Sequence, residues 1–166
     1  DLKAVWVEKP LALTEVEVTE LVAAARAAGR PLMVGFNRRF APATARIRAA
    51  LTGRPGPRTF TLTVNAGRLP ADHWLLDLAV GGGRIVGEAC HFIDILRHLA
   101  GSPIVEARAL VRDADGQDGG RFELRFANGD LGRLNYLTHL APEEPKEILT
   151  AHGEGWGLIL RQWRSL

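Results

Sequence analysis

Apolar and polar positions follow two different periods along this chain, and the period changes near Arg58. Lys3 to Glu8 holds Ala4, Val5, Trp6 and Val7 in a row and predicts a short buried strand, stopped by Pro10, which cannot donate to a sheet ladder. Thr14 and Glu17 then have capping-box spacing ahead of Leu21, Val22, Ala25 and Ala28, which recur on one helical face until Gly29. Leu32 to Phe36 predicts a second strand. Strand, helix, strand in that order is the βαβ unit of a parallel sheet.

Pro42 to Leu51 predicts another helix, with Ile47 and Leu51 four apart, and Gly53 to Pro57 is a turn-rich connector. From Arg58 to Val64 the period is two, the mark of a strand with one buried face. Asn65 to Gly83 is a long irregular segment with Pro70, His73, Trp74 and the glycines Gly81, Gly82 and Gly83; loops of that length in a compact domain are usually functional. Arg84 to Ala100 predicts the strongest helix, with Ile85, Ala89, Phe92, Ile95, Leu96 and Leu99 on one side and Gly101 at its end. Ile104 to Val111, Arg121 to Ala127 and Leu131 to Thr138 predict strands, the last two joined through Asn128-Gly129, a strong hairpin signal. Lys146 to His152 and Trp156 to Trp163 predict one more hairpin. The expected class is α+β, a mainly antiparallel open sheet with helices on one face, preceded by a βαβ unit.

The chain has 166 residues, room for one ordinary core rather than two complete domains. With 46% hydrophobic and 24% charged residues it falls among globular rather than disordered chains. Net charge is only +2, and the arginines are spread among acids without a basic stripe, so nucleic acid is not an expected partner. No apolar run is long enough for a bilayer and no signal-peptide pattern opens the chain, so the expected location is the cytoplasm, away from membranes. Cys90 has no second cysteine to pair with and reads as a small buried hydrophobe. The first residue is Asp1, and a strand pattern follows almost at once, which suggests a piece of something longer.

Chemistry is suggested at four places. Glu8-Lys9-Pro10 follows a strand end, where open α/β sheets bind ligands, so Lys9 is either a ligand contact or an ordinary solvated lysine. Gly35-Phe36-Asn37-Arg38-Arg39-Phe40 follows the next strand end and offers an amide and fork-shaped guanidinium groups to a hydroxylated or phosphorylated ligand. In the long loop, His73 and Trp74 are candidate ligand contacts. On the helix after the glycines, Glu88 and His91 are three apart, as are His91 and Asp94, so a histidine near carboxylates reads either as a proton shuttle or as a packing residue. His98 suits the C-terminal end of the helix dipole. No metal-ligand spacing such as H-E-x-x-H occurs, and the glycine triplet lacks the context of a dinucleotide fingerprint.

Taken in order, Glu8-Lys9-Pro10, Gly35 to Phe40 with Pro42, and Gly81-Gly82-Gly83 eight residues before His91 resemble the glucose-fructose oxidoreductase / inositol dehydrogenase (Gfo/Idh/MocA) family. Asn65-Ala66-Gly67 with Pro70 to Trp74 is similar to a branch sometimes fused behind a zinc alcohol-dehydrogenase-like portion. The resemblance implies an N-terminal Rossmann domain for NAD or NADP and a C-terminal substrate-binding domain that often forms subunit interfaces. Residues 1–36 would then be the end of the Rossmann domain and 37–166 the substrate-binding and oligomerisation domain. It also implies Lys9 near nicotinamide and substrate, and His91 as the proton-transfer residue for a sugar-like or cyclitol substrate. Glu8, Lys9, Pro10 and Arg39 would be cofactor contacts; Asn37, Arg38, His73 and Trp74 would be substrate contacts; Glu88 would join Lys9 and His91 as catalytic. Many members have an aspartate four residues before the histidine, where this chain has Gly87. Glu88 next door is turned by about 100° on a helix and is not its geometric equivalent. The expectations are an oxidoreductase portion inactive by itself and a homo-oligomer through the sheet face; the alternative is a non-catalytic dimerisation or ligand-binding module.

Overall fold

A computed structural model describes residues 3–163; the remaining terminal residues of the two expected segments, Asp1 among them, lie outside the described residues. Strand β1 (Val5–Val7) pairs in parallel with β2 (Leu32–Val34) across helix α1 (Glu15–Ala27). The capping box forms as its spacing predicts: Thr14 accepts from the Glu17 amide, and the Glu17 carboxylate accepts from the Thr14 amide at 3.0 Å. The expected burial does not follow. Val5 and Trp6 are exposed, Trp6 at 70%, and α1 has no buried residue, because among the described residues no further layer covers this unit.

The second sheet has six strands in the order β4-β5-β6-β3-β7-β8. They are β3 (Thr59–Asn65), β4 (Ile104–Arg112), β5 (Gly120–Phe126), β6 (Leu131–Leu137), β7 (Glu147–Gly153) and β8 (Trp156–Arg161). Every neighbouring pair is antiparallel except β3 and β6, which run parallel at the centre. Asn128-Gly129 turns β5 into β6, with Gly129 at φ 84°, a left-handed backbone that glycine adopts without strain. Helices α2 (Pro42–Leu51) and α3 (Cys90–Ala100) supply the other layer of the core. Ala43, Ile47 and Leu51 of α2 and Phe92, Ile95, Leu96 and Leu99 of α3 are buried with Phe60, Leu62, Val64, Leu124, Leu134 and Leu149 from inward positions of the sheet. Period two on the strands and 3.6 on the helices thus meet in one apolar layer.

Two departures matter. The helix predicted from Arg84 is interrupted at its start: Gly83 and Arg84 are α-helical, Ile85–Ala89 form a π-turn, and the α-helix resumes at Cys90. Such bulges change which residues share a face, and this one falls on Gly87 and Glu88. The open face of the sheet is also less apolar than strand alternation suggests. Thr59, Thr61 and Thr63 line β3, and Glu106, Glu123, Arg125 and Arg133 form cross-strand pairs, Arg125 to Glu106 at 3.4 Å and Arg133 to Glu123 at 3.6 Å. Exposed aliphatic side chains, Val105, Leu110, Val111 and Ile159, belong to the edge strands β4 and β8.

Candidate functional site

Parallel strands β1 and β2 end at the same edge, which carries Lys9 and Phe36 toward the start of α3. The Phe36 ring meets the His91 ring edge-on, with centroids 6.0 Å apart. The Lys9 ammonium donates to the Gly87 carbonyl oxygen at 2.7 Å. Lys9, Arg38, Glu88 and His91 line one cleft of about 220 Å³, together with Val64, Ala66, Phe92, Tyr136 and Lys146.

Ion pairs hold most of this wall. Arg38 forms a two-pronged pair with the buried Glu147 and stacks over Phe92, its guanidinium carbon 4.7 Å from the ring centre. Glu147 also accepts from the Trp163 indole. Arg39 pairs in the same way with Asp94 and lies outside the lining of the cleft. Asp94, spaced to orient His91, is therefore committed to Arg39. Behind Glu88, Arg84 is 1% exposed and donates to Glu88 at 2.9 Å and to the carbonyl oxygens of Gly67 and Ala66 at 2.7 and 2.9 Å. Tyr136 donates its hydroxyl to the same Glu88 carboxylate.

These contacts set the charge states. Burial alone would raise Glu88, but hydrogen bonds from Tyr136 and Arg84 outweigh it and hold the carboxyl below its ordinary value. Burial and the adjacent Glu88 carboxylate push the Tyr136 phenol up, so it stays a donor. His91 is lowered to about 4, first by burial and then by the charges of Lys9 and Arg38. The ring is neutral at ordinary pH and able to accept a proton. Its Nδ1 is buried with no hydrogen-bond partner among the described residues, a capacity that a ligand closing the cleft would meet.

The other sequence candidates fall elsewhere. Glu8 lies beside Gly35, where an added Cβ would come within 3.3 Å of its carboxylate oxygens. Pro10, Asn37, His73 and Trp74 are not among the cleft-lining residues. Asn37 opens a 3-10 turn, Asn37–Phe40, and its amide donates to the Gly35 oxygen. His73 caps the turn Trp74–Leu76 by accepting from the Leu75 amide at 3.2 Å, and Trp74 is 60% exposed. Cys90 is half-buried rather than buried, and burial pushes its thiol up.

Arg84, Tyr136, Lys146 and Glu147 are absent from the sequence candidates. Arg84 carried a usable signal: a cation at a helix start opposes the dipole and calls for a carboxylate nearby, which Glu88 supplies four residues on. Tyr136 follows Leu134 by two on a strand, so it points inward and its hydroxyl needs a partner.

The glycine at 87 has a steric reason. A Cβ there would lie 2.5 Å from Leu75 Cδ1 and 3.1 Å from the Gly81 carbonyl oxygen. Replacing Gly87 with Asp is therefore expected to destabilise the fold by about 1–3 kcal/mol, measured by urea denaturation, rather than to add a working acid.

A family model described as the GFO/IDH/MocA C-terminal domain matches residues 40–156, well over half of the chain. The chain belongs to the GFO/IDH/MocA family. Among relatives of this GFO/IDH/MocA chain, inositol 2-dehydrogenase 2 of Saccharopolyspora erythraea is 42% identical over 111 residues, 64% of this chain and 31% of that protein. Myo-inositol 2-dehydrogenase of Thermotoga maritima is 30% identical over 141 residues, 80% of this chain and 42% of that protein. This chain thus spans less than half the length of these curated relatives. The WlbA dehydrogenase of Bordetella pertussis, solved with NADH and UDP-GlcNAcA, superposes with a TM-score of 0.78 at 25% identity, covering 96% of this chain and 49% of that one. No helix among the described residues is long and apolar enough to cross a membrane.

Proposed function

We propose that this chain forms the substrate side of a nicotinamide-dependent dehydrogenase acting on a hydroxyl or ketone of a sugar or cyclitol. The observation that carries the reading is that Lys9, from the tip of a parallel strand, and His91, from α3, line one cleft. In this reading residues 1–36 complete a dinucleotide-binding domain, residues 37–166 form the substrate-binding domain, and the protein is a cytoplasmic homo-oligomer joined through the open sheet. The reacting end of NAD or NADP fits beyond the carboxyl ends of β1 and β2, where parallel sheets receive dinucleotides, and the orphaned His91 Nδ1 is consistent with a closing ligand. Glu8, Lys9, Pro10 and Arg39 are the proposed residues on the cofactor side; Asn37, Arg38, His73 and Trp74 are those on the substrate side. His73, Trp74 and Asn37 would need to approach a ligand that extends past the cleft lining.

When bound, the nicotinamide supplies the acceptor or donor of hydride. Lys9 holds the reacting oxygen and favours negative charge on it, while neutral His91 takes the hydroxyl proton in oxidation and returns it in reduction. Glu88, fixed between Arg84 and Tyr136, positions the substrate hydroxyls beside His91. The test is NAD- or NADP-linked oxidation of cyclitols and sugars by the product of the full reading frame and by residues 1–166 alone. Turnover by the former and none by the latter is expected, and Lys9→Met should lower turnover about 100-fold.

Gly87, standing where the family resemblance implies an acid, favours a second reading as a ligand-binding module without turnover. Retained polyol binding with no turnover in the full reading frame would select that reading.

A further inference from the structure

The charges around the cleft do not balance. Arg38 is paired with Glu147, and Arg84 with Glu88. That leaves the ammonium groups of Lys9 and Lys146, neither of which has a carboxylate partner among the described residues. Lys9 has a task at the reacting oxygen in the reading above. Lys146 has none there: its side chain is exposed and its backbone carbonyl accepts from the Asn65 amide.

Lys146 also occupies a junction. A second, outer chamber of about 610 Å³ is lined by Asn65, Gly67, Arg68, Thr138, His139 and Glu144, and shares Ala66 and Lys146 with the inner one. Arg68 is occupied by Asp115 at 2.7 Å, and His139 lies 4.0 Å from Asp113. Glu144 contributes a negative charge on that side. Of the two ammonium groups, Lys9 lies in the inner chamber and Lys146 where the chambers meet, and the inner one is large enough for only a single small ring.

We propose that the substrate is a hydroxylated ring bearing an anionic group, a carboxylate or a phosphate, which Lys146 receives at the junction while the ring occupies the inner chamber. This rests on the dehydrogenase reading and names its substrate class. A charge-assisted hydrogen bond from an ammonium is stronger than a neutral one, and here the donor is a lysine with no carboxylate partner among the described residues. The anion would also offset the positive field that Lys9 and Arg38 exert on His91, making the imidazole a better proton acceptor when substrate is present.

The experiment compares glucuronate, glucose 6-phosphate, glucose and myo-inositol, titrated into the chain and followed by the ring resonances of His91, assigned with His91→Gln. Glucuronate, glucose 6-phosphate or both are expected to bind about tenfold more tightly than the neutral ligands, and whichever is preferred identifies the anion. Lys146→Gln should abolish the preference, Lys146→Arg should keep it, and thermal melting should be the same for both exposed-site variants. Equal affinity for neutral and anionic ligands, or a preference that survives Lys146→Gln, would overturn the proposal while leaving the polyol site standing. No response of His91 to any of the four would overturn the polyol site as well.

Discussion

Replacing His91 with Asn is expected to lower turnover of the polyol substrate by about 10²–10⁴-fold, the usual contribution of a positioned general base, with a much smaller change in KM. The argument is specific to the protonation state. An ordinary histidine is half-protonated near pH 6.5, whereas burial and the neighbouring cations hold His91 at about 4. The proton-accepting form is therefore fully present above about pH 5 and is lost only as pH falls through 4. A kcat/KM profile for oxidation should keep its acid limb near that lowered value in the free enzyme. A limb near 6.5 would contradict the lowered value, and an unchanged turnover in His91→Asn would remove the histidine from the chemistry.

The second large effect is structural. Replacing Arg84 with Met is expected to destabilise the protein by about 2–4 kcal/mol, read from the urea midpoint at unchanged slope. Arg84 is almost fully buried, and its guanidinium satisfies the carbonyls of Ala66 and Gly67 as well as Glu88. Met fills much of the volume but leaves those acceptors without a donor and Glu88 beside Tyr136 without its cation. Glu88 should then rise in pKa, since the two hydrogen-bonding partners that outweigh its burial become one. Arg84→Lys should recover part of the loss, because one ammonium cannot reach all three acceptors in the fork geometry of a guanidinium.

The fold was legible wherever one period dominated a whole element. Alternation on Thr59–Asn65, the capping box at Thr14 and the Asn128-Gly129 turn each had a single local cause, and each element formed where that cause lay. Burial of β1 and α1 was not legible, because an apolar run records what a surface is built to meet and not whether that surface is met within the described residues. The π-turn at Ile85–Ala89 was hidden for a different reason: its origin is tertiary, with Gly87 pressed against Leu75 and the Lys9 ammonium on the Gly87 carbonyl. In the cleft, Lys9, Arg38, Glu88 and His91 could be named from strand ends and helix spacing. Tyr136, Lys146 and Glu147 could not, since they come from strands β6 and β7 or the segment before β7, and the sheet order that brings them to α3 is a long-range property.

The pairing of Lys9 with His91 across one cleft is best tested through the charge that each presents to the other. Titration of the His91 ring nitrogens by NMR, in the unmodified chain and in Lys9→Met, reads that interaction without any ligand. The midpoint should lie near 4 in the unmodified chain and move upward, toward the ordinary histidine value, once the ammonium is gone. Identical midpoints in the two proteins would place Lys9 out of electrostatic reach of His91 and contradict the shared cleft on which the dehydrogenase reading depends.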